Sequence, residues 1–425
     1  MEDRYDVVIV GAGPAGASTA LHLLARRPSA RVALVDRQSH PRIKPCGGAI
    51  SRWGLEVLEA LGLGLDALGV AHVPIGAIAV RAPKSTGVHV NPSNAAPLGA
   101  VVRRDRFDAA LAARAVAAGA SLIAPAALRS LRVGDEVAVE VVGREGARTL
   151  GGALLVGADG TGSAVRRLGG FAEAGRRAQL VVTETRPTPA DERLWLGGAR
   201  GMIDFDLRVL APTAGAPPLA GYAWDFATQL DGVPAVSRGL FAYAPTAGGP
   251  SLDARLRGRL VALGLDPDAS RILPYSERIF HGMPSHVATA RVLLVGEAAG
   301  LVDAVTGEGI AQALASGRLA AAHLDRALGE RAARGSAPLE PGRYAEELAA
   351  LRLGRHLRQM ARMAPLAYGP NGATLADALA AAPAAMEAGA RWYAGERLGW
   401  PRKLDVGLRY ASSVARDLTF AHTRH

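Results

Sequence analysis

Apolar and polar positions follow different periods along the chain, and each period predicts its own element. Residues 5–10, Tyr-Asp-Val-Val-Ile-Val, form a near-continuous apolar run that stops at Gly11. Such a run, bounded by glycine, predicts a buried parallel strand. Ala17–Ala25 carries Leu21, Leu23 and Leu24 among alanines with no breaker, which predicts a helix. Arg31–Val35 predicts a second apolar strand, ending in Asp36. Ser51–Leu61 spaces Leu55, Leu58 and Leu61 along one helical face, with Ser51 as the expected cap. Residues 75–102 predict short strands broken by Pro, Gly and Asn. A helix beginning at Arg104–Asp108 is expected to turn Leu111 and Val116 inward. Further strands are predicted at 121–123, 127–133, 137–142 and 154–156, with hairpin turns at Gly134-Asp135 and Gly143–Gly146.

From residue 171 the pattern changes. Gln179–Thr183, Arg193–Trp195, Met202–Leu207, Tyr222–Phe226 and Gly239–Tyr243 are short β patterns between Pro- and Gly-rich turns. They predict one antiparallel sheet. Within it Tyr222, Trp224 and Phe226 share a face by period two. Aromatics make up only 5% of the chain, so this cluster stands out, although core packing alone accounts for such a face. Arg291–Val295 predicts a third apolar strand, and an alanine-rich helix runs from Ile310 to about Leu328. Residues 330–340 read as a connection, and the remainder as helical. There Arg352, Arg355, Arg358 and Arg362 form a basic stripe beside Leu351, Leu353, Leu357 and Met360. A solvated face is the default for such a stripe, and contact with a membrane surface the minority expectation.

Composition narrows the class. A chain of 425 residues exceeds what one core usually serves. Hydrophobic residues at 49% and charged residues at 21% indicate a globular protein. No apolar run is long enough to span a bilayer, and the first strand begins too near Met1 for a signal peptide. Both observations set a cytoplasmic expectation. The single cysteine, Cys46, excludes an internal disulfide and a multi-cysteine metal site, and no metal site is expected. The net charge of +10 is mostly arginine. It comes without a Lys/Arg block or interleaved aromatics, so nucleic acid is not the expected partner. An anionic membrane surface or anionic lipid remains a second explanation of the charge.

The first strand and helix enclose Gly11-Ala12-Gly13-Pro14-Ala15-Gly16. Gly11 permits the tight turn, Gly13 lets a pyrophosphate approach the backbone, and Gly16 lets the helix pack close to the strand. The helix N-terminus then faces the phosphates. Asp36 lies about twenty residues past the last glycine, where a carboxylate binds ribose hydroxyls. The pattern predicts an ADP-containing dinucleotide, FAD or NAD. Asp36 would repel the 2′-phosphate of NADP. After Asp36 and Arg37 comes an irregular loop, His40 to Ile50, that contains Pro45-Cys46-Gly47-Gly48-Ala49. An isolated cysteine is ordinarily a small buried hydrophobe. Cys46 precedes a Gly-Gly step and follows Arg42 and Lys44, and cations make a thiol reactive, so it is a chemical candidate. Two later strands also deliver an acid with glycines: Asp159-Gly160 within 157–163, and Gly296-Glu297 followed by Thr306-Gly307-Glu308-Gly309-Ile310. Each alone reads as an ordinary turn.

Together, Asp36, Asp159 and Glu297 resemble the strand-end acids of FAD-dependent oxidoreductases with the p-hydroxybenzoate hydroxylase fold. Arg104-x-x-Phe107-Asp108 is similar to that superfamily's segment with an arginine near the cofactor. The geranylgeranyl reductase family is a closer match. Pro45–Gly48 resembles its loop beside the flavin, Tyr222-x-Trp224-x-Phe226 its tunnel motif, and 296–302 with 306–310 its flavin-binding segment. Glu297 stands where that family usually has Asp, and Ala227 and Ala304 where it usually has Pro.

The resemblance implies an α/β fold. A Rossmann-type FAD-binding domain (1–74, 100–170 and 291–330) would join an antiparallel β-sheet substrate domain (75–99 and 171–290) and a C-terminal helical region (331–425). It implies FAD held by the glycine motifs, Asp36, Arg37, Arg104, Asp159 and Glu297, with backbone N–H groups at 307–310 near the ring. Cys46 becomes the candidate proton donor or positioning group, and Tyr222 and Trp224 line an apolar slot. The implied reaction is reduction of C=C bonds in an isoprenoid or other apolar substrate. Electrons would come from NAD(P)H or a reduced ferredoxin, since no second GxGxxG is present. Two alternatives use the same cofactor loops. One is a flavin monooxygenase, either a hydroxylase or a halogenase, although the halogenase WxWxIP pattern is absent. The other is an electron-transfer flavoprotein, and a single cysteine argues against a built-in iron–sulfur domain.

Overall fold

The computed structural model describes residues 3–172, 176–197, 200–212, 217–244, 249–269, 271–279, 284–334 and 338–396. In chain order, β1 (Asp3–Val10) and β2 (Val32–Val35) start one sheet. β3 (Ala49–Ser51), β4 (His72–Arg81), β5 (Thr86–Val90) and β6 (Gly99–Val102) belong to another. β7 (Ser121–Ile123), β8 (Ala126–Val133), β9 (Val137–Gly143) and β10 (Gly146–Gly157) return to the first. β11 (Arg176–Thr185), β12 (Gly201–Asp206), β13 (Gly221–Leu230), β14 (Val233–Ala242) and β15 (Leu273–Ile279) extend the second, and β16 (Val292–Leu294) closes the first.

The first sheet runs β7-β2-β1-β10-β9-β8, with β16 also on β10. β10 pairs with β1 in parallel and is long enough to serve two further partners. Its first half forms an antiparallel hairpin with β9, and Leu155–Gly157 pairs in parallel with β16. Val7, Val8 and Ile9 are fully buried, so residues pointing to either face of β1 are covered, and this is why β1 is apolar without alternation. Val10 lies beside Gly157, and Gly157 beside Leu294. The carboxyl ends of β1, β10 and β16 are therefore neighbours, and each releases one of the glycine loops. Ligands of parallel sheets bind in the crevice outside such strand ends.

α1 (Pro14–Arg26) starts with proline at its first turn, where the missing N–H costs nothing. After α2 (Arg52–Glu59), α3 (Arg104–Ala117), α4 (Ala164–Leu168) and α5 (Leu252–Ala262) comes α6 (Ile310–Arg334). α1 packs closely along α6: a Cβ on Gly317 would lie 2.7 Å from the Ala15 carbonyl oxygen.

The second sheet runs β15-β11-β14-β13-β12-β4-β6-β3, with β5 on β4. It is antiparallel except where β12 pairs with β4, which is parallel. Several local expectations change. Arg193 and Leu194 end a 3-10 turn, Pro189–Leu194, rather than start a strand, and Trp195 makes only an isolated bridge to Gly201. Thr188 and Asp191 cap that turn reciprocally, which favours the coil over a ladder. Val116 is exposed, while Leu111 is buried as expected. α5 has no counterpart in the predicted elements, because its arginines mask the apolar pair Leu256 and Leu260.

The C-terminal chain forms α7 (Pro341–Ala350), α8 (Arg352–Ala367), α9 (Gly372–Ala380) and α10 (Pro383–Ala394). Residues 397–425 lie outside the described residues. Tyr344 of α7 is buried and donates to the Leu294 carbonyl at 3.1 Å, which fixes α7 under β16. α8 buries Leu353, Leu357 and Met360 and turns Arg355 and Arg362 outward. No helix among the described residues is long and apolar enough to cross a membrane.

Candidate functional site

The turn after β1 is set by steric limits. Gly11 has φ +109°, and a Cβ there would stand 2.2 Å from the Ala158 carbonyl oxygen. A Cβ on Gly16 would stand 1.8 Å from the Gly11 oxygen. Gly13 differs: its nearest neighbours are side-chain atoms, Arg42 Nη2 at 3.3 Å and Asp108 Oδ2 at 4.0 Å. The space over Gly13 is thus open and bordered by a guanidinium. Pro14 and Ala15 begin α1, whose first turn has no acid and no side-chain cap. Backbone N–H groups and a positive helix end face that space, the arrangement that binds phosphate.

Asp36 ends β2 and is buried. It accepts hydrogen bonds from Ala12 N and Gln38 N, both at 2.9 Å. Burial alone raises its carboxyl, but His40, Arg42 and the two N–H groups outweigh that and hold it below the usual carboxylate range. Arg42 spans from Asp36 (3.7 Å) to Asp108 (3.4 Å). Asp108 in turn is gripped by Arg104 through two bonds of 2.9 Å. Burial disfavours the Arg104 charge, yet Asp108 and then Cys46 hold its pKa above the usual value. A line of alternating charges therefore runs beneath Gly13. Arg37, beside Asp36, is exposed.

Asp159 follows β10 beside the Gly11 turn: a Cβ on Gly11 would lie 2.8 Å from its backbone N. Its carboxylate accepts from Ala164 N at 2.6 Å, Val165 N at 3.1 Å and the Ser163 hydroxyl, so it caps α4. Those bonds hold the 157–163 loop in shape at the end of β10. Gly160 beside Asp159, at φ +77°, leaves its missing Cβ 3.7 Å from Glu297 Oε2. Glu297 is where the loops meet. Thr161 donates to it at 2.8 Å, Lys44 approaches at 3.5 Å, and the missing Cβ of Gly309 is 3.7 Å from Oε1. Gly296 at φ +56° sits against Ala15 and donates its N–H to Ser316 Oγ at 3.0 Å.

Glu308 accepts from Ser51 N at 2.9 Å and Ser51 Oγ at 2.8 Å. Ser51 occupies the N-cap of α2, but its hydroxyl serves Glu308 rather than the helix. Burial pushes the Glu308 carboxyl up to about 7, against the pull of those two donors. Asp303, on the same loop, accepts from Val305 N (2.7 Å), Thr306 N (2.9 Å) and His356 Nε2 (2.6 Å). Burial would raise Asp303, but His356 and the backbone donors bring it below the usual range. His356 itself is raised: burial opposes its charge, and Asp303 and Glu308 outweigh burial. Its ring stacks on Trp392 of α10 at 4.5 Å and 14°.

A small cavity of about 50 Å³ lies between the 46–49 loop, the 306–308 loop and the second sheet. Tyr222, Trp224 and Phe226 line it along β13, joined by Phe205 and Phe241. Phe205 stands edge-on to Tyr222 and Phe226, 5.3 Å from each. Gly47 is required here, since a Cβ would lie 3.0 Å from the Phe226 ring. Gly48, at φ +80°, leads to Ala49, which begins β3. Cys46 Sγ accepts from Gly48 N at 3.4 Å. On the other side of Cys46-Gly47 opens a polar cleft of about 230 Å³ with Lys44, Arg103, Arg104 and Glu184. Lys44 and Arg42 turn to Glu297, Asp36 and Asp108; Arg104 is the guanidinium that feels the Cys46 sulfur.

A family model described as an FAD binding domain matches residues 4–194. The menaquinone reductase of Mycolicibacterium smegmatis is 32% identical over 342 residues, 76% of each chain. The chain belongs to the geranylgeranyl reductase family of FAD-dependent oxidoreductases. Another relative, digeranylgeranylglycerophospholipid reductase 1 of Methanopyrus kandleri, is 28% identical over 328 residues, 75% of this chain and 79% of that one. A geranylgeranyl bacteriochlorophyll reductase-like protein of Thermoplasma acidophilum shares the fold, with a TM-score of 0.74 at 18% identity over 98% and 99% of the two chains.

The crevice of this geranylgeranyl reductase family member suits FAD on its own geometry. The open space at Gly13, the uncapped α1 and the charged Asp36 accept an ADP half. Glu297, Thr161 and Lys44 offer polar atoms farther along. Asp303, His356 and Tyr393, which pattern did not single out, stand beside the 306–308 loop or line the aromatic cavity, while Asp108 and Thr161 lie within motifs already recognised. Asp303 lay between two recognised motifs, which is a usable signal. His356 and Tyr393 stand on C-terminal helices with no motif around them.

Proposed function

We propose that the chain reduces carbon–carbon double bonds of an isoprenoid or similarly apolar substrate. The observation that carries this is the aromatic cavity abutting Cys46-Gly47-Gly48. Such walls bind hydrocarbon and offer little to a charged molecule. The relative named for a digeranylgeranylglycerophospholipid supports the same class. Reduced flavin, when bound, supplies hydride.

The protein binds, orients and excludes water. Gly13, the α1 N-terminus and Arg42 would take the pyrophosphate, and Asp36 the ribose. Glu297 and Thr161 would take the polyol. The first turn of α6 would stabilise negative charge near Gly307–Ile310. Tyr222 donates to the Thr306 carbonyl and so ties the aromatic sheet to the 306–308 loop. Cys46 lines both the aromatic cavity and the polar cleft, and its thiol is the candidate proton donor. NAD(P)H or a reduced ferredoxin would dock from outside as electron donor. With a net charge of +10, peripheral contact with an anionic membrane surface would bring a lipid substrate within reach.

The test is anaerobic incubation of the reduced, flavin-loaded protein with prenyl lipids, read by mass spectrometry. Gains of two daltons per double bond are expected, and Cys46→Ser should lose most turnover. A hydroxylated product formed only in air would replace this function with a monooxygenase. Full turnover by Cys46→Ser would remove Cys46 from the proton step.

A further inference from the structure

Tyr393, on α10, lines the aromatic cavity and is 7% exposed. Its phenol oxygen is sealed from solvent and has no hydrogen-bond partner among the described residues. The neighbouring donors are committed. Tyr222 donates to the Thr306 carbonyl, Tyr368 to the Val305 carbonyl, and Trp224 Nε1 to Ser237 Oγ at 3.3 Å. Buried hydroxyls are nearly always paired. An orphan donor on a cavity wall therefore marks the place of a ligand atom. Thr183 Oγ1 is also orphaned but lines the polar cleft, while the orphaned side-chain atoms of His22, His40, His89 and Gln312 line neither cavity.

Two features fix the chemistry. Burial first, then Glu308, Cys46 and Asp303, hold the phenol well above the usual tyrosine value, so it keeps its proton and has an O–H to donate. Cys46 and Glu308 line the same cavity, so the hydroxyl belongs to the end where the 46–49 and 306–308 loops meet.

We propose that Tyr393 donates its O–H to an acceptor atom of the molecule that fills this cavity. The acceptor is an oxygen or nitrogen, carried either by the flavin ring or by an apolar substrate with an oxygen function. The flavin case rests on the family assignment alone. The substrate case rests also on the proposed alkene reduction.

Tyr393→Phe keeps the ring and removes only the oxygen. Flavin-loaded wild type and variant are compared by visible spectrum and by FAD titration. Both are then titrated with geranylgeraniol and with the matching hydrocarbon that lacks the hydroxyl, followed by quenching of flavin fluorescence. If flavin is the acceptor, the bound-flavin bands shift and FAD binds about tenfold more weakly, about 1.4 kcal/mol. If substrate is the acceptor, the flavin is unchanged, the alcohol binds about tenfold more weakly, and the hydrocarbon binds as before. A variant equal to wild type in spectrum, FAD affinity and both titrations overturns the proposal. So does equal weakening of both probes with a lowered Tm, which would make Tyr393 a packing residue. Wild type that holds FAD but takes neither probe defeats the apolar-substrate assignment, and the flavin measurements alone then decide Tyr393.

Discussion

The turn at Gly11–Gly16 and the cavity at Cys46–Tyr393 are built by opposite means. The turn is local: six residues between one strand and one helix, with Asp36 arriving on the next strand. The cavity draws walls from β11, β12, β13, β14, the 306–308 loop and α10. The turn fails through backbone collision and the cavity through lost packing. The difference teaches that one protein can set a cofactor turn by backbone contacts within a few residues beside a cavity whose walls are set by side-chain packing across distant elements.

Gly16→Ala should break the comparison hardest on the first side. Its Cβ would fall 1.8 Å from a backbone oxygen that cannot move without the strand. Loss of bound flavin colour and destabilisation above about 4 kcal/mol are expected by denaturant titration. A yellow, stable variant would show that the turn is softer than its geometry.

Trp224→Ala tests the other side. The ring is 2% exposed, and truncation should cost about 3–5 kcal/mol, unless the cavity collapses to fill the gap. Flavin loading should survive if the two regions are separable. Its loss would couple them.

The loop between the two regions carries the pH dependence. The Glu308 carboxyl rises from 4.5 to about 7 on folding. Its neutral form is favoured, so its contribution is fully present below the unfolded value and is lost as pH rises through about 7. The span is at most about 3 kcal/mol, and Glu308→Gln should flatten Tm across it. His356 is also raised, so the stability from its pair with Asp303 is whole below 6.5 and is lost as pH climbs through the higher folded value. Asp303, being lowered, sets the acid limit of that pair, which fails only as pH falls through its depressed pKa. Glu308, Arg352 and the Trp392 ring also act on His356. His356→Phe should remove its own share of the alkaline slope, worth about 1.5–3 kcal/mol, and weaken the acidic one, since His356 does most to lower Asp303. An unchanged alkaline slope would mean another group titrates there.

The smallest effect expected is from Ser51→Ala, about 1 kcal/mol in denaturant titration. It removes one of the two donors to ionised Glu308, so the Glu308 pKa should rise further. A drop would assign Ser51 to capping α2 instead.

The same contrast explains what pattern could reveal. Gly11, Gly13, Gly16 and Asp36 were legible because their task is set by near neighbours. Tyr222, Trp224 and Phe226 were legible as one face, since period two survives any partner. Ser51 looked like a helix cap, and its hydroxyl instead meets a carboxylate 257 residues away. Asp159 was legible as a strand-end acid, but not its bonds to the Ser163 hydroxyl through Oδ1 and to the first N–H groups of α4 through Oδ2. Pairings such as Asp303 with His356 depend on which helix packs over which loop, and no local period encodes that.

One further consequence follows from α10 as a wall. A chain cut before Pro383 would retain Gly11, Asp36, Asp159 and Glu297 with their neighbours, and would lack Tyr393 and the Trp392 plate under His356. During synthesis, then, every residue named for the nucleotide crevice leaves the ribosome before the one that closes the greasy chamber.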